Sequence, residues 1–286
     1  MPSARAIHQA ARLSLEARFF TEWCRRAPYS SLHERFVSAV ESLTAWPEPE
    51  AYDELAAQVP RLATHASLPR FITQDREALE QLGGYEQHVA RARAVPTRKR
   101  SWHDFFNMAV WAHFPALRWA LNALHVDASL GPVDPRNGRA PQQNVAAQLD
   151  ESGIIVASSA PGLLAELRAL RFKHVFWERR AELLATTRFW VVGHGMLESL
   201  LTPHPGLAGK ALLFELPRAP TAYGLDELRE SLDARAAEQV LSWRAGAPLL
   251  DPLPLLGIPG FADNSASEFY DDERYFRFQR RPRARD

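Results

Sequence analysis

The chain has 286 residues, 46% of them hydrophobic and 24% charged, proportions that suit a globular protein with a sizeable core. Its 34 basic residues balance 34 acidic ones, which excludes a global field drawing it to nucleic acid or to an anionic membrane. Cys24 is the only cysteine, so an internal disulfide and a thiolate metal cluster are excluded and a reducing cytoplasm is expected.

Residues 1–95 read as a helical N-terminal region. Leu13, Phe19, Phe20 and Trp23 make one apolar stripe, and Phe36, Val37, Val40 and Leu43 another after a turn near Pro28. The WPEPE segment at 46–50 breaks the second helix, because proline lacks an N–H and clashes with the preceding turn. Short helices are predicted at 53–59 and 74–82. The basic stretch ARARAVPTRKR, residues 90–100, has no apolar period and reads as a linker. No run approaches ~18 apolar residues, so no transmembrane segment is expected, and the N-terminus lacks a signal-type apolar core.

The main domain is placed at 96–278. Ser101 suits a helix N-cap with Asp104 three residues on, and the helix Trp102–His113 follows. At about 100° per residue, His103, Asp104, Asn107 and Trp111 share one arc of an otherwise aromatic helix, where polar groups need partners. They read either as pocket walls or as groups tying neighbouring loops together. Asn137-Gly138 is a predicted tight turn. NVAAQLDESGIIVASS reads as strand, turn and strand over 144–158, so that Asp150 and Glu151 would point to opposite faces and at most one would serve a site. Helices are expected in GLLAELRAL, WERRAELLA and DELRESLDARAAEQVLSW, the last as an amphipathic surface helix. Further strands are expected at 189–192 and 211–216.

FWVVGHGMLESLL, from Phe189, has the outline of a nucleophile elbow, G-x-S-x-G, but Gly195 stands where the serine would be. A serine nucleophile is therefore excluded. His194 would instead sit at a helix N-terminus with Glu198 one turn on, as a base with its orienting carboxylate, as a metal ligand, or as a packing histidine. A metal site could draw on His103, Asp104 and His194 with Asp150 or Glu151, although no ligand spacing demands one. Gly209-Lys210 lacks the rest of a phosphate loop, and the sequence names no cofactor, which stays unknown. Only three of the basic residues, Lys99, Lys173 and Lys210, are lysines, and Lys210 is the candidate anion anchor. The proline-rich 248–260 segment is expected to pack as a loop, and 279–286 is an arginine-rich tail without the aromatics of a nucleic-acid binder.

SWHDFFNMAVWAHFPALRWALNALH, the LDESG segment, VVGHGMLESLL and PLPLLGIPG with FYDDERYFR resemble a bacterial family of domains of unknown function, over about residues 101–278. The resemblance implies that these segments belong to one domain, and it supplies no activity. The fold class expected is α+β, predominantly helical with a small β-sheet. The leading expectation is a cytoplasmic enzyme performing acid–base chemistry on a small anionic metabolite. His194 would be the base, Glu198 its orienter, His103, Asp104, Asn107 and Trp111 would form the pocket, and Lys210 would be the anchor. A metal-dependent enzyme and a non-catalytic binding protein with a Trp/Pro-rich partner surface are the alternatives.

Overall fold

Ser101 caps the central helix as its sequence implies, its hydroxyl accepting from the Asp104 N–H at 3.3 Å. Of the twelve residues that follow, all but His103 are buried. This helix is the axis on which the rest is assembled in a computed structural model describing residues 22–61, 67–136 and 138–276. Leu13, Phe19, Phe20, Asn137 and the 279–286 tail lie outside the described residues.

The first half of the chain contributes α1 (Glu34–Glu41), α2 (Tyr52–Ala56), β1 (Arg70–Thr73), α3 (Arg76–Gln81), α4 (Tyr85–Ala92), β2 (Ala94–Thr97), the central α5 (Trp102–His113) and α6 (Pro115–His125). There follow α7 (Pro141–Ser152), β3 (Gly153–Ser158), α8 (Pro161–Arg168), α9 (Arg180–Thr186), β4 (Thr187–Val191) and α10 (His194–Ser199). The chain then forms β5 (Ala208–Glu215), α11 (Leu225–Ser242), β6 (Asp251–Pro254) and α12 (Glu273–Phe276). The fold is α+β and mostly helical. Its larger sheet has the order β4-β3-β5-β6, with β3 and β5 parallel and the outer pairs antiparallel.

Three expectations are corrected. Residues 141–152 are a helix, not a strand: Pro141 occupies the first helical position, the Gln143 side chain accepts from the Ala140 N–H at 2.9 Å, and Ala146, Leu149 and Asp150 form its buried face. Within 90–100, Ala94–Thr97 is no linker; it is a fully buried strand, paired in parallel with β1 as a separate small sheet. In the proline-rich segment, Asp251–Pro254 is an edge strand on β5, where the missing proline N–H groups cost least. The turn after it is pinned by Asn264, which donates to the carbonyls of Leu256 and Ile258 at 2.8 and 2.7 Å.

One continuous core runs from Trp23 to Phe276. Trp23 meets Trp102, Phe105 and Phe106 edge-on with centroids 5.4 to 5.9 Å apart, and Tyr29 stacks on Phe106. Tyr29 also donates to the Leu197 carbonyl at 2.7 Å, tying the N-terminal residues to α10. The helix α11 is more than a surface helix. Its buried Asp233 accepts from the N–H groups of Ala116 and Leu117 at 2.9 and 2.8 Å, capping α6 from across the core.

His113, at the end of α5, has a pH consequence. Its Nδ1 donates to the Ala109 carbonyl at 2.7 Å and its Nε2 accepts from the His33 N–H at 2.9 Å, so the neutral ring is fully used. A proton on Nε2 would face that N–H, and burial holds the pKa down to about 3, against about 6.5 in an unfolded chain. Below the unfolded value the unfolded state binds the extra proton. His113 therefore supplies stability that is complete above about pH 6.5 and is lost as pH falls towards about 3, at up to about 1.4 kcal/mol per unit. Denaturant titrations from pH 7 to 4 should show a shallower pH dependence for His113→Gln than for the parent. Equal slopes would refute this role.

Candidate active site

The turn from β4 into α10 carries the Gly193-His194-Gly195 sequence, and it abuts the junction of α7 and β3. A Cβ on Gly193 would lie within 2.5 Å of Ser152 Cα and N, so only glycine lets the two backbones meet. A Cβ on Gly195 would overlap Glu151 Oε2. Glycine at the would-be nucleophile position thus leaves room for a carboxylate from another helix.

That packing brings His194 onto the first turn of α5. His194 Nε2 and His103 Nε2 stand 2.9 Å apart, with the ring planes at 74°. Glu151 Oε1 is 3.7 Å from the former and 3.9 Å from the latter. The outer nitrogen of each ring faces a carboxylate: His103 Nδ1 lies 3.2 Å from Glu198 Oε2, and His194 Nδ1 lies 3.4 Å from Asp150 Oδ1 without the alignment of a hydrogen bond. The expected partnership of Glu198 with His194 is therefore corrected. Both share α10, but the His194 ring turns inward to Asp150 while Glu198 reaches across to α5.

The two imidazoles differ electrically. Burial, with help from the Arg118 charge, lowers the His194 pKa to about 3, which keeps the ring neutral. The Glu198 hydrogen bond raises the His103 pKa against the opposing effect of burial. Both carboxylates of α7 reach the site because neighbouring residues of a helix diverge by only about 100°, not by the half-turn of a strand.

His103, His194, Asp150 and Glu151 form one wall of a cavity of about 250 Å³. Gln74 after β1, Tyr85 and Glu86 of α4, Pro96 of β2, Arg98, Asp104, Asn107 and Arg118 complete the lining. Asp104 faces the cavity but is held by Arg98, whose backbone N–H, Nε and Nη2 donate to it at 2.6, 2.9 and 2.7 Å. It closes the loop between β2 and α5 and does not approach the pair of imidazoles as a ligand. Asn107 accepts from Arg118 Nη2 at 2.8 Å and donates to the Tyr85 hydroxyl at 2.9 Å. Arg118, only 4% exposed, pairs with Asp150.

Three sequence candidates do not line the cavity: Glu198, which meets the site only through His103, and Trp111 and Lys210. Trp111 is buried, with the Arg118 guanidinium 5.1 Å from its ring centroid and Trp119 against its edge. Lys210 sits in β5 between Gly153 and Pro252 of the flanking strands. Sequence reasoning missed Arg118, Tyr85, Glu86, Gln74 and the lining role of Arg98. A signal existed for the first: Arg118, Asn122 and His125 make a polar stripe at i, i+4 and i+7 on a helix whose other buried positions include Leu117, Leu121 and Leu124.

The fold and cavity define an α+β protein with a partly buried histidine–carboxylate constellation open to a small pocket. A family model described as "Protein of unknown function (DUF3025)" matches residues 69–280, and the chain belongs to that family. No curated protein and no solved structure matches it.

Proposed function

We propose that this chain is an enzyme that carries out acid–base chemistry on a small polar metabolite held in the cavity beside His103, His194 and Glu151. The observation that carries this reading is the convergence of two imidazoles, each with a carboxylate behind it, on one wall of a space sized for a small molecule. His103 and His194 meet the cavity wall through their Nε2 atoms, and Glu198 holds the His103 ring in place from its other nitrogen. His194 stays neutral and buried beside it.

The substrate need not be anionic. Among the described residues no lysine lines the cavity, and both lining arginines are already matched, Arg98 with Asp104 and Arg118 with Asp150. The partner-surface alternative has little to draw on, because none of the eight tryptophans is exposed and the proline-rich segment is built into the sheet.

The experiment is a thermal-stability screen of small metabolites against the parent chain, His103→Ala and Glu198→Gln. A ligand that stabilises the parent by several degrees should lose that effect in His103→Ala, while both variants melt within a few degrees of the parent when free. Ligand stabilisation that survives His103→Ala would sink the reading.

A further inference from the structure

The two facing imidazoles pose a charge problem. Glu198 can only accept at His103 Nδ1, and the field of Asp150 favours the proton on His194 Nδ1. With those tautomers both Nε2 atoms present lone pairs, 2.9 Å apart, with a third electron-rich atom, Glu151 Oε1, 3.7 and 3.9 Å away. Three such atoms repel one another unless a cation stands among them. A shared proton would answer for the two nitrogens alone and leave Glu151 too far for a hydrogen bond.

The spacing fits something larger. A triangle with sides of 2.9, 3.7 and 3.9 Å has a centre equidistant from its corners at about 2.1 Å, the bond length of zinc to histidine nitrogen and carboxylate oxygen. Its edges also bracket the ~3.4 Å separation of ligands around a tetrahedral ion with such bonds. We propose that His103 Nε2, His194 Nε2 and Glu151 Oε1 bind a single divalent transition-metal ion whose remaining positions open to the cavity.

Three further observations belong to this arrangement. Each ligating histidine has a carboxylate at its other nitrogen, as metal-bound histidines commonly do. Among the described residues, these three atoms fall within 4.8 Å of one another. Gly195 clears the space that the Glu151 carboxylate needs to reach the other two. The second such group, Glu86, His125 and Asp150, is the weaker one, because Asp150 already pairs with the Arg118 cation. Two neutral imidazoles and one carboxylate suit zinc, iron(II), cobalt(II) or manganese(II) better than calcium or magnesium, which favour all-oxygen shells. The inference rests on the cavity being the reaction site. There the ion would hold a water and lower its pKa, the released proton passing to solvent and the hydroxide remaining for the acid–base step.

The test uses the untagged full-length chain, stripped with chelator and titrated with Zn²⁺ by calorimetry and with Co²⁺ by visible absorption. One equivalent should bind, and Co²⁺ should show the d–d bands of a low-coordinate nitrogen and oxygen site. Glu151→Gln, at a side chain 56% exposed and so compatible with folding, should weaken Zn²⁺ binding by roughly 100-fold or more. Glu198→Gln, which touches only a ligand, should weaken it by about 10- to 100-fold. His125→Ala should leave it unchanged. Absence of stoichiometric binding, indifference to Glu151→Gln, or loss on His125→Ala would each overturn the site. If the ion fails while His103→Ala still abolishes metabolite stabilisation, the metal inference alone falls. If the ion binds as expected and His103→Ala leaves metabolite stabilisation intact, the reaction-site reading falls instead.

Discussion

Arg118→Met should lower the free energy of unfolding by about 3–5 kcal/mol, the largest loss expected from any change around the cavity. The guanidinium is the only cation paired with Asp150 among the described residues, and Asp150 is itself 9% exposed. Methionine fills much of the same volume, so packing over Trp111 is largely kept and the loss comes from an uncompensated buried carboxylate. Asn107 would also lose the donor at 2.8 Å that fixes its amide. Denaturant midpoints should therefore fall sharply for Arg118→Met and recover in part for Arg118→Met combined with Asp150→Asn, since removing both charges leaves nothing stranded. A loss below about 1 kcal/mol would mean that Asp150 is not held as a charge by Arg118.

The second large effect separates two glycines that look alike in the sequence. Gly193→Ala should cost about 3 kcal/mol or more, because the added carbon meets backbone atoms of Ser152 and Gly153 that cannot rotate away. Gly195→Ala should cost far less for folding, since alanine is a good helix residue and the nearest atom it meets is the far end of the Glu151 side chain, with the Glu151 carbonyl oxygen next at 3.2 Å. Its effect should fall on the site, with Glu151 displaced and Zn²⁺ binding weakened. Melting curves and Zn²⁺ titrations of the two variants would show the separation. Equal destabilisation by both would contradict the packing described for the α7–β3 junction.

What could be read from the chain beforehand follows from where the information lies. The central helix was legible because Ser101 caps it and its buried residues are nearly all large and apolar, so His103 and Asn107 stood out. Gly193-His194-Gly195 stood out by its likeness to an elbow without a nucleophile. That His103 and His194 meet depends on how α10 packs on α5, which no local pattern contains. Asp150 and Glu151 were misassigned for a local reason. The apolar residues of NVAAQLDES allow both an alternating and a helical reading, and Pro141 with Gln143 decides for the helix. The short sheet of β1 and β2 was missed because strands of four residues, the second set between Arg93 and Arg98, carry almost no periodic signal. Lys210 drew attention only by the rarity of lysine, a compositional fact that says nothing about position.

The most direct measurement is a crystal of the Zn²⁺-loaded chain examined by anomalous diffraction at the zinc edge. One strong peak is expected, about 2.1 Å from His103 Nε2, His194 Nε2 and Glu151 Oε1 together. A peak at Glu86, His125 and Asp150 instead, or no ordered zinc in the cavity wall, would contradict the account.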